Sequence, residues 1–154
     1  MKIEKHMKRQ VISIQETDTV LYAASLFVKN HIGTLPVVNK EGVMTGILLI
    51  RDLLELAMPD FIHLIEDFDY IHNFGVFEDR LLDPQTLGMH VIDVMEPAVK
   101  VEADSGLMSA AAILNKENLS DIPVVEQDGR LVGIASRVDI GVALLKKWKI
   151  VEGD

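Results

Sequence analysis

The stretch "LVGIASRVDI" (131–140) sets a hydroxyl, Ser136, three residues ahead of a carboxylate, Asp139, where an apolar strand gives way to a helix. Two chemistries suit that spacing. Ser-x-x-Asp is close to a capping box, in which the hydroxyl accepts from an unpaired N–H of the first helical turn and the acid suits the helix dipole. The same carboxylate can also accept from the hydroxyls of a sugar diol, because capping occupies one oxygen and leaves lone pairs for a ligand. Catalysis has less to stand on. There is no Gly-x-Ser-x-Gly elbow, no P-loop, no His-Glu-x-x-His pair and no cysteine, so the chain reads as a binding protein and not as an enzyme.

Composition narrows the partners. The chain has 154 residues, 49% of them hydrophobic, enough to bury a real core. Without cysteine, neither a disulfide framework nor a thiolate metal site can form. A formal net charge of −9 argues against nucleic-acid backbone binding but leaves room for a small anion held by local donors. The leader "MKIEKHMKRQ" has no apolar stretch behind it, and runs such as "GILLI" are too short to span a bilayer. A cytoplasmic protein without membrane or nucleic-acid partners is the expectation. The cationic run Lys146 to Lys149 reads as the favourable end of a helix.

The elements around Ser136 and Asp139 occur twice. "LPVVNKEGVMTGILLIRDLL" (35–54) aligns without a gap on "IPVVEQDGRLVGIASRVDIG" (122–141), pairing Pro36 with Pro123, Gly42 with Gly129, Gly46 with Gly133 and Asp52 with Asp139. Upstream, "ETDTVLYAASLFVKN" (16–30) resembles "EADSGLMSAAAILNK" (102–116), and the leaders "IEKHMKRQVISI" and "VIDVMEPAVKV" agree as well. Each copy predicts strand, helix, strand, strand, helix. "VISI" and "VKV" are the first strands, Asp18 and Asp104 the helix caps, and Val20, Leu21, Ala24, Phe27 and Val28 the apolar face that follows. The next strands begin at the prolines, where a missing N–H is tolerated. Turns at Gly42 and Gly129 lead back into the strands that end near Arg51 and Arg137.

The fold class is therefore α/β (α+β), with two repeats, 1–57 and 91–149, packed about a pseudo-two-fold axis and separated by a helical spacer, 58–90. Apolar residues at 61, 62, 64, 65, 68 and 71 predict an amphipathic helix after Pro59. Asp60, His63, Glu66, Asp67, Asp69 and His72 of this spacer match no metal-ligand motif and read as a solvated face. Its aromatics Phe61, Phe68, Tyr70, Phe74 and Phe77 read as core or partner contacts.

Hydrophobic-Pro-Val-Val, a turn glycine, then Gly-hydrophobic-x-Ser/Thr-x-x-Asp, twice over and each behind a "Met…Val" leader, resembles a tandem pair of cystathionine-β-synthase (CBS) domains, a Bateman module. The resemblance implies a regulatory module that binds an adenosine-containing ligand: AMP, ADP, ATP or S-adenosylmethionine. It needs no resident cofactor or metal and signals to a separate effector protein. In that family the motif aspartate takes the ribose hydroxyls and the Ser/Thr lies near the phosphates. The other repeat contributes adenine contacts from its first strand and from the residues before its proline strand. Carried over, Ser136 and Asp139 face Ile12, Ile32 and Gly33, while Asp52 faces Val99, Leu119 and Ser120. Arg51 and Arg137, beside the motifs, either reach a phosphate or stand in solvent.

The two clefts differ. Leu49 occupies the hydroxyl position ahead of Asp52, so the Ser136/Asp139 cleft is expected to bind tighter. Gly33-Thr34 and Ser120-Asp121 stand where phosphate-gripping relatives place basic residues, and Asp121 opposes a dense anion. Bateman modules form flat dimers, which implies a homodimer with Leu53 to Ala57 and Ile140 to Leu145 at or near the contact. The competing reading is a ligand-free structural or dimerisation module.

Overall fold

A computed structural model describes residues 1–66 and 71–148. The first repeat runs β1 (Ile14–Gln15), α1 (Val20–Asn30), β2 (Thr34–Val38), β3 (Met44–Leu49), α2 (Ile50–Ala57). A short α3 (Pro84–Leu87) and β4 (Glu96–Pro97) lead into the second repeat: β5 (Val101–Glu102), α4 (Leu107–Lys116), β6 (Asp121–Val125), β7 (Leu131–Ser136), α5 (Arg137–Leu145). One sheet has the order β1-β2-β3-β4 and the other β5-β6-β7. In each, the first strand joins in parallel and the hairpin is antiparallel. The hairpin tips meet: Met44 donates to the Gly129 carbonyl and Leu131 to that of Gly42, both at 3.0 Å. Gly42 (φ +79°) and Gly129 (φ +87°) hold the left-handed turns that glycine tolerates best.

The leaders cross over. The N-terminal leader packs on the second repeat: Ile3 N–H donates to Ser105 (2.8 Å), Lys8 bridges Ile134, and Ile3 is buried in that repeat's core. The second leader packs on the first repeat: Val91 N–H donates to Asp18 (2.8 Å), Val91 joins its core, and β4 pairs with β3. A methionine of each leader lies against the motif glycine of the other repeat. A Cβ at Gly133 would strike the Met7 sulfur, and one at Gly46 the Met95 sulfur. The second leader adds β4 to the first sheet, and the N-terminal leader bridges the second sheet at Ile134.

Four local expectations need correction. The first strands are shorter and lie further along than "VISI" and "VKV", because only Ile14–Gln15 and Val101–Glu102 reach a partner strand. The proline strands begin two residues earlier, at Thr34 and Asp121; Pro36 and Pro123 sit inside them because the parallel partner engages only residues 37–38 and 124–125. Asp18 does not cap α1. Its carboxylate accepts from Gln15 N–H (2.9 Å), and Thr19 Oγ1 takes the cap by accepting from Tyr22 N–H (3.1 Å). At α4 the cap position is Gly106, not Asp104, and the Met1 carbonyl accepts from Leu107 N–H (3.2 Å).

The amphipathic helix expected after Pro59 does not form over the described residues 60–66, and residues 67–70 of that expectation lie outside the described residues. A 3-10 turn, Asp60–Leu64, ends at once, with Leu64 83% exposed. A short helix persists only when its apolar face is packed; Phe61 meets Phe74, with ring centroids 6.3 Å apart. Asp67, Phe68, Asp69 and Tyr70 lie outside the described residues, as do the side chain of Phe77 and all of Lys149. His63 pairs with Glu55 (2.7 Å), and no three metal-ligating side chains converge among the described residues.

Candidate functional site

Ser136 closes β7 in an extended conformation and Asp139 falls in the first turn of α5, so the motif folds as a full capping box. Ser136 Oγ accepts from Asp139 N–H at 2.9 Å, and Asp139 Oδ2 accepts from Ser136 N–H at 3.4 Å. Among the described residues nothing donates to Oδ1 of Asp139, which keeps its lone pairs at the helix mouth.

That carboxylate borders a cleft of about 160 Å³ built by both repeats. Val11 and Ile12, ahead of β1, and Ile32 and Thr34, at the start of β2, form one wall. Asp121, Ile134, Ser136 and Asp139 form the other, and the crossed leader adds Lys8 and Gln10. Thr34, only 5% exposed, donates its hydroxyl to Asp121 Oδ2 (3.1 Å) and ties the two walls together at their base. On its other side Asp139 borders an open hollow of about 490 Å³ lined by Met1, His6, Val142, Ala143, Lys146 and Lys147. The inner cleft alone is below the usual range for a small-molecule site, whereas the outer hollow falls within it. Asp139 is the residue common to the largely apolar inner cleft and the outer hollow with its lysines.

Of the residues expected there, Ser136, Asp139, Ile12 and Ile32 come together. Gly33 stands between two lining residues, and its carbonyl accepts from Ile50 N–H (3.0 Å). Arg137 turns away: its guanidinium donates to the carbonyls of Leu119 (2.7 Å) and Leu114 (3.2 Å), clamping the end of α4. Sequence reasoning missed Lys8, Gln10, Val11 and Ile134 as lining residues. The leader alignment sets Lys8 against Glu96 but does not show which repeat either one packs on.

The opposite motif is assembled differently. Asp52 Oδ2 accepts from Leu49 N–H (2.8 Å), half a capping box, while the Leu49 side chain is buried in the core. Arg51 forms a two-pronged pair with Glu96 (2.8 and 3.0 Å) and also donates to the Asn118 carbonyl (3.1 Å). Burial, with Glu96 close by, pushes the Asp52 carboxyl up to about 6, while Arg51 holds Glu96 below its usual range. Leu119 and Ser120 border another hollow, of about 410 Å³, with Ser136 and Arg137 and not with Asp52 or Val99. Val99 instead packs against the second repeat's core.

Two adjoining α+β repeats with a shared cleft define a tandem-repeat fold, and comparison with known proteins gives it a family. The CBS domain matches residues 3–58 and 91–146, and the chain belongs to that family. It is 31% identical to the uncharacterized protein MJ1426 of Methanocaldococcus jannaschii, covering 94% of this chain and 92% of that one. Among solved structures, CBSX2 in complex with AMP, a protein of Arabidopsis thaliana, is 25% identical. The match has a TM-score of 0.70 and covers 96% of this chain and 98% of that one. The CBS domain pair of protein MJ0100, in complex with 5-methylthioadenosine and S-adenosyl-L-methionine, shares the fold at 19% identity and TM-score 0.68, covering 96% and 98%. No helix among the described residues is long and apolar enough to cross a membrane.

Proposed function

We propose that this protein is a non-enzymatic regulatory module that binds an adenosine-containing ligand in the Ser136/Asp139 cleft and reports occupancy to a separate effector protein. The observation that carries the reading is the convergence of Ile12 and Ile32 from one repeat with Ser136 and Asp139 from the other, around a carboxylate oxygen left unused by capping. The adenine lies between the apolar walls, and Asp139 takes the ribose hydroxyls. The relative crystallised with AMP supports the ligand class. The expected setting is the cytoplasm. A thermal-shift panel of AMP, ADP, ATP and S-adenosylmethionine tests the reading. A ligand that binds only the folded state raises the melting temperature, and a panel that leaves it unmoved contradicts the proposal.

The ligand-free reading has support at the Asp52 motif, where the Leu49 side chain is buried in the core and Arg51 and Glu96 pair with each other. We assign the module to a homodimer through α2 and α5, whose Leu54, Val138 and Val142 are 51%, 71% and 47% exposed. Light scattering should give the dimer mass; a monomer at high micromolar concentration contradicts it.

A further inference from the structure

Each crossed leader lays one residue over the motif of the other repeat. Lys8 bridges Ile134, and Glu96 pairs with Ile47. Ile47 and Ile134 follow the matched glycines Gly46 and Gly133, so Lys8 and Glu96 occupy the same place with opposite charge. The Glu96 side chain shows where a residue at this place can reach: it meets Arg51 and lies beside Asp52, in the first turn of the following helix. The same reach from Lys8 leads to the first turn of α5, and Lys8 does line the cleft with Ser136 and Asp139. Arg137, the counterpart of Arg51, is committed to the carbonyls of α4 and its following turn. Lys8 is therefore the cation among the residues lining this cleft, which also carries the carboxylates of Asp121 and Asp139.

We infer that Lys8 is the specificity-determining residue of the Ser136/Asp139 cleft, favouring a phosphorylated adenosine over adenosine itself. The inference rests on the adenosine reading above and adds the charge of the ligand to it. An ammonium facing a phosphate in a partly enclosed cleft forms a charge-assisted contact that an uncharged nucleoside cannot use. The Asp52 motif has Glu96 at this place, and a phosphate there would have to draw Arg51 from its carboxylate.

Calorimetric titration of the full chain with AMP and with adenosine separates the two readings. In the wild type AMP binds more tightly than adenosine, and that ratio shrinks as salt is raised. Lys8→Glu lowers the AMP-to-adenosine affinity ratio by about tenfold or more, Lys8→Gln by less, and Lys8→Arg keeps it. Melting curves confirm that each variant is folded, as expected for an exposed side chain. If wild-type protein takes both probes and Lys8→Glu leaves their ratio unchanged, the role of Lys8 is overturned and the adenosine reading stands. Wild-type protein that takes neither probe overturns both.

Discussion

Asp139 uses Oδ2 on the backbone of Ser136, so the ligand contact proposed for it falls to Oδ1, a different atom of the same side chain. Substitution can therefore separate cap from ligand contact. Asp139→Asn retains an acceptor for the cap and should cost about 0.5 kcal/mol of stability or less. It loses the charge and one acceptor toward the diol, which should weaken AMP by about 1.5–3 kcal/mol, or roughly ten- to a hundredfold. Ser136→Ala removes the hydroxyl that accepts from Asp139 N–H and should cost about 1 kcal/mol of stability, with a smaller effect on binding. Melting curves and AMP titrations of both variants give the comparison. An Asp139→Asn protein that is sharply destabilised yet binds AMP undiminished would make the residue a helix start and nothing more. At the other motif, Asp52 binds its proton more tightly folded than unfolded, since its pKa rises from 3.8 to about 6. Its contribution to stability therefore grows as pH falls through 6 and is complete below 3.8. Asp52→Asn should melt above the wild type at pH 7.5 and approach it at pH 5; a difference independent of pH contradicts this.

At the scale of elements, the exchange of leaders is the feature with the largest structural consequence. Gly133→Ala sets a methyl group against the Met7 sulfur and within 2.9 Å of the Lys8 carbonyl, so the leader must lift from β7. A loss of about 1–3 kcal/mol is expected from overpacking of this kind, measured by denaturant unfolding. Unchanged stability would mean that the leader is not held there. The proline strands, turn glycines and closing helices were readable in the chain, because hairpin and helix signals are local. The leader exchange was not, since an alignment of two copies reveals which segments correspond and not which sheet each one joins. The spacer's apolar spacing failed as a helix signal for a related reason: periodicity proposes a face, and only a neighbouring surface can hold it. Within the site, Ser136, Asp139, Ile12 and Ile32 were legible from motif and repeat. Lys8 was not, because its place in the cleft depends on the exchange.

The whole molecule is a pseudo-symmetric pair whose two motifs have diverged. One keeps hydroxyl, carboxylate and a leader lysine around an open cleft. The other has a buried leucine and a leader glutamate locked to Arg51. The fold's symmetry predicts two sites, and the side chains predict one. Isothermal titration of AMP into the purified protein, with Asp139→Asn and Asp52→Asn alongside, tests that claim most directly. One AMP per chain is expected, with affinity falling roughly ten- to a hundredfold in Asp139→Asn and staying within about twofold in Asp52→Asn. Two equal sites per chain, or a single site lost with Asp52 and indifferent to Asp139, would contradict it.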